Sequence, residues 1–372
     1  MRILAIDVGG GTQDILLFDT TRTPENCLRM VMPAPTVLLA REIQRATQRR
    51  EPVLLSGVTM GGGPSRAAVE RHLAAGLPVY ATPEAARTFD DDLEQVRAMG
   101  VQVVSEDEAG RLYHARRLRT RDLDFGGIRS ALEALGAPVE LDGLAVAVFD
   151  HGQAPPGESD RRFRFQYLAR RVEEKNDLSA FAYPADQVPP EMTRMAAVVQ
   201  EAPPGLPLMC MDTAPAAILG ALEEPEVRSQ PHLVAVNVGN FHTLAFDLRD
   251  GKIQGFFEHH TDLLSLFRLE SLLRGLAAGT LSNEAVFGDH GHGAWMREHR
   301  SAPVDFLAVT GPRREMLRGS VLNPRFAAPY GDMMMAGCWG LIRAAATVMP
   351  AWATAIREAL PGPSSWPSHK SR

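Results

Sequence analysis

A run of β-branched and aliphatic residues from Arg2 to Val8 carries Asp7 near its end and opens into Gly9-Gly10-Gly11-Thr12. A second apolar run, Asp14 to Asp19, follows at once and stops too soon to be a helix. The pattern is strand, glycine turn, strand. Consecutive glycines in such a turn aim several backbone N–H groups at one point, with no Cβ to obstruct approach, which makes a nest for a phosphate oxygen. Asp7 at its lip suits a magnesium ion held largely through water, because Mg²⁺ dehydrates reluctantly. A dinucleotide fingerprint is excluded, since Asp14 stands where the third glycine belongs and a strand follows instead of a helix.

The same unit recurs in the second half of the chain. His232 to Val238, Gly239-Asn240-Phe241-His242, and Thr243 to Asp247 again read as strand, turn, strand. Overlaid on residues 3–19, Asn237 falls on Asp7 and Gly239 on Gly9, while Thr243 falls near Thr12 if the second turn is one residue longer. A duplicated hairpin is the economical explanation. Between the two lie a helix over Thr36 to Arg50, a strand at Val53 to Gly57, and Gly61-Gly62-Gly63 before a helix from Arg66 to Ala75, a second candidate anion nest. Further strands are expected at Val101 to Val104, Leu144 to Phe149, Leu208 to Met211 and Phe306 to Val309. Helices are expected over Ala214 to Leu222, Leu263 to Leu276 and Met333 to Met349.

At 372 residues the chain is long enough for about two domains. We place an N-terminal domain at 1–205 with an insertion at about 82–200, a C-terminal domain at 206–350, and a disordered tail at 361–372. A net charge of −6 gives the whole chain no attraction for polyanions, so no nucleic-acid partner is expected. The arginines of 111–121 and 161–171, interleaved in the second stretch with Phe163, Phe165 and Tyr167, read as half-buried strands. No apolar run is long enough to span a bilayer, and Asp7 interrupts the first one, so no membrane partner and a cytoplasmic location are expected. Cys27, Cys210 and Cys338 are isolated, which writes neither a disulfide framework nor a local cradle for an iron–sulfur cluster.

Five segments in order give the chain a likeness to a known superfamily. Asp7 to Asp14 resembles the first phosphate motif of actin, Hsp70-type chaperones and sugar kinases, and Asp212 to Gly220 resembles their first connecting helix. Asn237 to Thr243 sits where the second phosphate motif belongs, Leu307 to Pro312 where the adenosine motif belongs, and Asp332 to Gly340 resembles the second connecting helix. Within that superfamily, Thr59 to Pro64, Phe149-Asp150-His151-Gly152 and Gly288 to Gly293 resemble a group of proteins labelled as related to pyruvate formate-lyase activation. Activators of that kind use a cysteine-ligated cluster, for which this sequence lacks the ligands.

The superfamily resemblance implies an α/β fold of two ribonuclease H-like, actin-like ATPase domains closing on ATP and Mg²⁺, with an inserted subdomain. Carried over residue by residue, it makes Asp7 the water-mediated metal holder. Gly9, Gly10, Gly11 and Thr12 meet the phosphates, Asn237, Gly239, Asn240 and Thr243 close from the other domain, and Gly311 borders the adenosine. Asp212 falls near the position that orients an attacking water or hydroxyl. Asn237 replaces the usual second aspartate and weakens magnesium recruitment. The activity implied is phosphoryl transfer to a small molecule or ATP hydrolysis coupled to domain closure, on a small-molecule or protein substrate. A nucleotide-binding scaffold without turnover is the alternative that Asn237 favours. A third reading is a metal-dependent enzyme using His259, His260, His290 and His292, since alternate residues of an extended segment share a face.

Overall fold

The computed structural model describes residues 1–155, 157–297 and 303–360. The expected disordered tail at 361–372 lies outside the described residues.

Arg2–Val8 is the central strand of a six-stranded sheet, and its apolar run has no polar alternation because both faces are covered. Leu4 and Ile6 pack into one core, with Phe181, Phe246 and Phe256 in the same cluster. Ile3 and Ala5 pack into another, with Trp339 and Ile342. The strand pairs antiparallel with Thr12–Asp19, which pairs antiparallel with Leu28–Pro33. On its other side it runs parallel to Gly143–Val148, and that strand runs parallel to Leu208–Asp212. Ala182–Pro184 closes the edge.

A second six-stranded sheet repeats the three antiparallel and two parallel strands of this core, with Gly293–Met296 added antiparallel beyond Lys252–His260. His232–Val238 pairs antiparallel with His242–Arg249, which pairs antiparallel with Lys252–His260. On its other side His232–Val238 runs parallel to Leu307–Thr310, which is followed by Arg325–Phe326. Three antiparallel strands continued by parallel ones, twice in one chain, are the two ribonuclease H-like units of the actin-like ATPase fold that the resemblance implied.

The two connecting helices, Thr213–Ala221 and Ala336–Val348, cross with almost no side chains between them. A Cβ on Gly220 would stand 1.7 Å from the Ala336 carbonyl oxygen, and one on Gly340 would stand 1.8 Å from that of Ala216. Two small residues thus let backbone meet backbone.

A third, four-stranded parallel sheet orders Gln102–Val103, Val79–Ala81, Val53–Gly57 and Arg116–Thr120. The strand at Val53–Gly57 therefore belongs to this separate sheet and not to the sheet of the first hairpin. The arginine-rich stretch 116–120 is a strand as expected, but Asp160–Glu174 is an α-helix and not the half-buried strand that its alternation suggested. Its buried residues Phe165, Leu168 and Val172 recur at helical spacing, and the buried Arg164 conceals that stripe because its charge is matched by partners far away in sequence. Among the described residues, no helix is long and apolar enough to cross a membrane.

Candidate functional site

The glycine turns of the two hairpins face each other across one cleft of about 730 Å³. They are the same turn built twice. Gly9 N–H donates to the Thr12 carbonyl at 2.9 Å, and Gly239 N–H donates to that of His242 at 3.0 Å. Val8 pairs with Gln13, and Val238 with Thr243, so both turns hold four residues. This corrects the overlay that allowed an extra residue in the second turn: His242, not Thr243, is the counterpart of Thr12. Thr243 is fully buried, its hydroxyl 3.0 Å from that of Thr261, and it does not line the cleft.

Of the expected site residues, Asp7, Gly9, Gly10, Thr12, Asn237, Gly239, Asn240 and Gly311 line the cleft. Gly11 does not; it lies under the Asn240 amide, 2.5 Å from where its Cβ would be. Gly311 supports the Asn237 side chain, whose Oδ1 stands 2.4 Å from the place of a Cβ. The Gly61-Gly62-Gly63 segment also lines the cleft, ahead of a helix that spans Gly63–Ala74.

Asp7 sits where the first central strand ends against the second connecting helix. A Cβ on Gly337 would stand 1.8 Å from its Oδ2, and its Oδ1 accepts the Thr213 hydroxyl. Burial pushes its carboxyl up to about 7; the Thr213 hydrogen bond pulls the other way and nearby Asp212 adds to the rise. Asp14 pairs with Asp7 across the hairpin and also lines the cleft. Its carboxyl is pushed up to about 8, first by burial and then by the charge of Asp7, and its Oδ1 is buried without a partner. Asp14 was not among the expected site residues. The signal was its place seven residues after Asp7, which in a hairpin with a four-residue turn puts it directly opposite.

Asp212 takes a different part from the one expected. It is buried and does not line the cleft. Arg164 donates to its Oδ2 at 2.6 Å and to its Oδ1 at 3.2 Å, and its Oδ1 also caps the first connecting helix through Ala214 N–H. The same guanidinium donates to both carboxylate oxygens of Glu258 at 3.1 Å. An aspartate so occupied ties the first connecting helix, through Arg164, to Glu258 of the second sheet.

Beside the second turn, histidines gather in a way the sequence reading did not anticipate. His151, His242 and His292 place one ring nitrogen each within 4.8 Å of one another. Of the four histidines expected to form a metal set, only His292 is in this group. His259 is turned away, with Nε2 3.4 Å from Asp289, and His290 is exposed. His260 lies just outside the group, its ring 5.0 Å from those of both His242 and His292. Burial holds all four imidazoles near the cleft neutral: His151 is pushed down to about 3, His242 and His292 fall well below the usual value, and His260 is lowered as well. His151 stood inside the quoted Phe149 to Gly152 segment and His242 inside the second turn, so each was visible but assigned to another purpose.

A family model described as "Putative pyruvate format-lyase activating enzyme (DUF1786)" matches residues 60–316. No curated protein matches the chain. Similar solved structures include the ethanolamine utilization protein EutJ from Carboxydothermus hydrogenoformans, at 12% identity and TM-score 0.31 over 92% of this chain and 89% of that one. A ROK hexokinase from Thermus thermophilus is similar at 14% identity and TM-score 0.28 over 92% and 96%. An exopolyphosphatase-like protein is similar at 11% identity and TM-score 0.27 over 83% of this chain and 66% of that one, just under two thirds of its length. The cysteines do not fit a thiolate-held cluster. Cys27, Cys210 and Cys338 are each buried in separate parts of the fold, and burial pushes all three thiols up, against thiolate formation.

Proposed function

The chain belongs to the DUF1786 family, and from the cleft this sequence builds we propose that it binds ATP with Mg²⁺ and transfers or releases the terminal phosphoryl group. The observation that carries this reading is the meeting of the two turns. Gly10 from one half and Asn240 from the other line the same space, while the Gly9 and Gly239 N–H groups close their own turns. A polyphosphate is the ligand that rewards such an arrangement, because turn N–H groups supply charge-free donors on both sides.

The residues present fit a magnesium ion. Asp7 and Asp14 are two desolvated carboxylates on adjacent strands, one of them with an orphaned oxygen, and a cation between cleft and strand end satisfies both. When bound, magnesium would neutralise phosphate charge. Thr213 fixes the orientation of Asp7, Gly337 lets the second connecting helix lie directly against it, and Asn237 offers an amide where a second acidic residue would add charge. Phosphoryl transfer asks chiefly for positioning and charge stabilisation, which this arrangement supplies without a covalent partner.

Titration of the purified protein with ATP in a calorimeter, with and without Mg²⁺, tests the reading. Saturable heat that needs Mg²⁺ and disappears in Asp7→Ala supports it, and no heat in a folded wild type removes it. Phosphate release, followed in the same samples, separates turnover from a binding scaffold.

A further inference from the structure

Three imidazoles in contact are a costly way to fill space. His242 Nε2 and both ring nitrogens of His292 are buried and have no hydrogen-bond partner among the described residues, and the His292 side chain has no exposed surface. Buried polar atoms normally find a partner, and each one left alone is destabilising. A partner shared by the unpaired nitrogens of His242 and His292, with a His151 nitrogen within 4.8 Å of them, is the simpler account. We propose that His151, His242 and His292 hold one borderline divalent ion of the zinc type, with its fourth position opening on the cleft.

The surroundings are those a metal ligand set requires. Phe149 stacks on the His242 ring at 4.1 Å between centroids and 8° between planes, which fixes that imidazole's orientation. Asp150 accepts the N–H of Gly152 at 2.9 Å and that of Met195 at 2.9 Å, so the turn presenting His151 is pinned on both sides. Glu258 Oε1 stands 3.4 Å from His292 Nδ1, a carboxylate beside the ring but not hydrogen-bonded to it. Arg164 holds Glu258 and lies 3.7 Å over the Phe149 ring, so one side chain braces both supports.

Neutral nitrogen ligands suit zinc or its neighbours, whereas Mg²⁺ prefers oxygen. Three protein ligands leave tetrahedral coordination incomplete, and His151 and His242 both border the cleft. The fourth ligand is therefore a water or an oxygen of whatever the cleft holds. This site is separate from Asp7 and Asp14, whose carboxylate oxygens are the pair proposed to take magnesium.

Protein produced in zinc-supplemented medium and dialysed against metal-free buffer is analysed for metal without nucleotide. Wild type, His259→Ala and His290→Ala are expected to retain one zinc per chain, while His242→Ala and His151→Asn lose affinity by about tenfold or more. Equal zinc in wild type and both variants overturns the proposal, as does a loss in His290→Ala that matches theirs. Should the variants unfold, metal-free wild type titrated with Co²⁺ decides: intense visible bands of four-coordinate cobalt support the site, and only the weak bands of six-coordinate cobalt sink it. Because ATP is absent throughout, failure here leaves the nucleotide reading standing, and failure of the ATP titration leaves the metal count intact.

Discussion

The ring of Phe241 occupies the space a side chain on Gly10 would need. A Cβ there would lie 2.1 Å from the ring edge, so the two turns touch through an aromatic residue of one half and a bare backbone of the other. Phe241 is 39% exposed, which leaves the ring free to turn. Gly10→Ala is therefore expected to cost less than about 1 kcal/mol of stability while pushing the turns apart and weakening ATP binding. A double-mutant cycle with Phe241→Ala should read a coupling of about 0.5 kcal/mol or more, and strictly additive values would show that the contact does not matter.

The glycine crossing of the connecting helices has no such freedom, because the atoms in the way are carbonyl oxygens. Gly340→Ala is expected to cost about 3 kcal/mol or more, with Gly220→Ala similar, measured as the shift in urea midpoint at unchanged slope. A loss below about 1 kcal/mol at both positions would mean that the helices separate readily.

Asp7 and Asp14 bind protons more tightly folded than unfolded, with folded values of about 7 and about 8 against 3.8 for the ordinary aspartate. Their contribution to stability is complete below pH about 4 and declines as pH rises toward 8. The thermal midpoint measured without divalent cations should accordingly carry a falling component between pH 5 and 8 (roughly the span between those values), smaller in Asp14→Asn. An Asp14→Asn profile parallel to wild type over that window would contradict the assignment.

Arg164 bridges Asp212 and Glu258 with only 2% of its side chain exposed. Arg164→Met leaves two buried carboxylates unpaired and is expected to cost about 3–5 kcal/mol. Adding Glu258→Gln to Arg164→Met should recover part of that loss. No recovery would indicate that packing, not charge, gives Arg164 its value.

Both hairpins and most strands were legible because buried strands between glycine turns write themselves as uninterrupted apolar runs, as Arg2–Val8 does. The helix at Asp160–Glu174 was not, since Arg164 interrupts its apolar stripe and is matched by carboxylates that only the fold brings near. That the turn residues Gly9, Gly10, Gly239 and Asn240 line one cleft was readable from the paired glycine turns. Residues whose role depends on register were not: Thr243 and His242 exchange significance when a turn is miscounted by one, because successive strand residues face opposite ways. The histidine group was out of reach for a simpler reason. Its members come from a loop after one sheet, a turn in the other and a segment beside a third element, and no spacing along the chain relates them.

Where Gly220 and Gly340 let two helices rest main chain on main chain, no side chains remain at that point to be re-sorted between neighbouring grooves. The pair can rock about the crossing as about a fulcrum but has no room to slide. Admission of a bulky guest must then come from a swing of one lobe on the other.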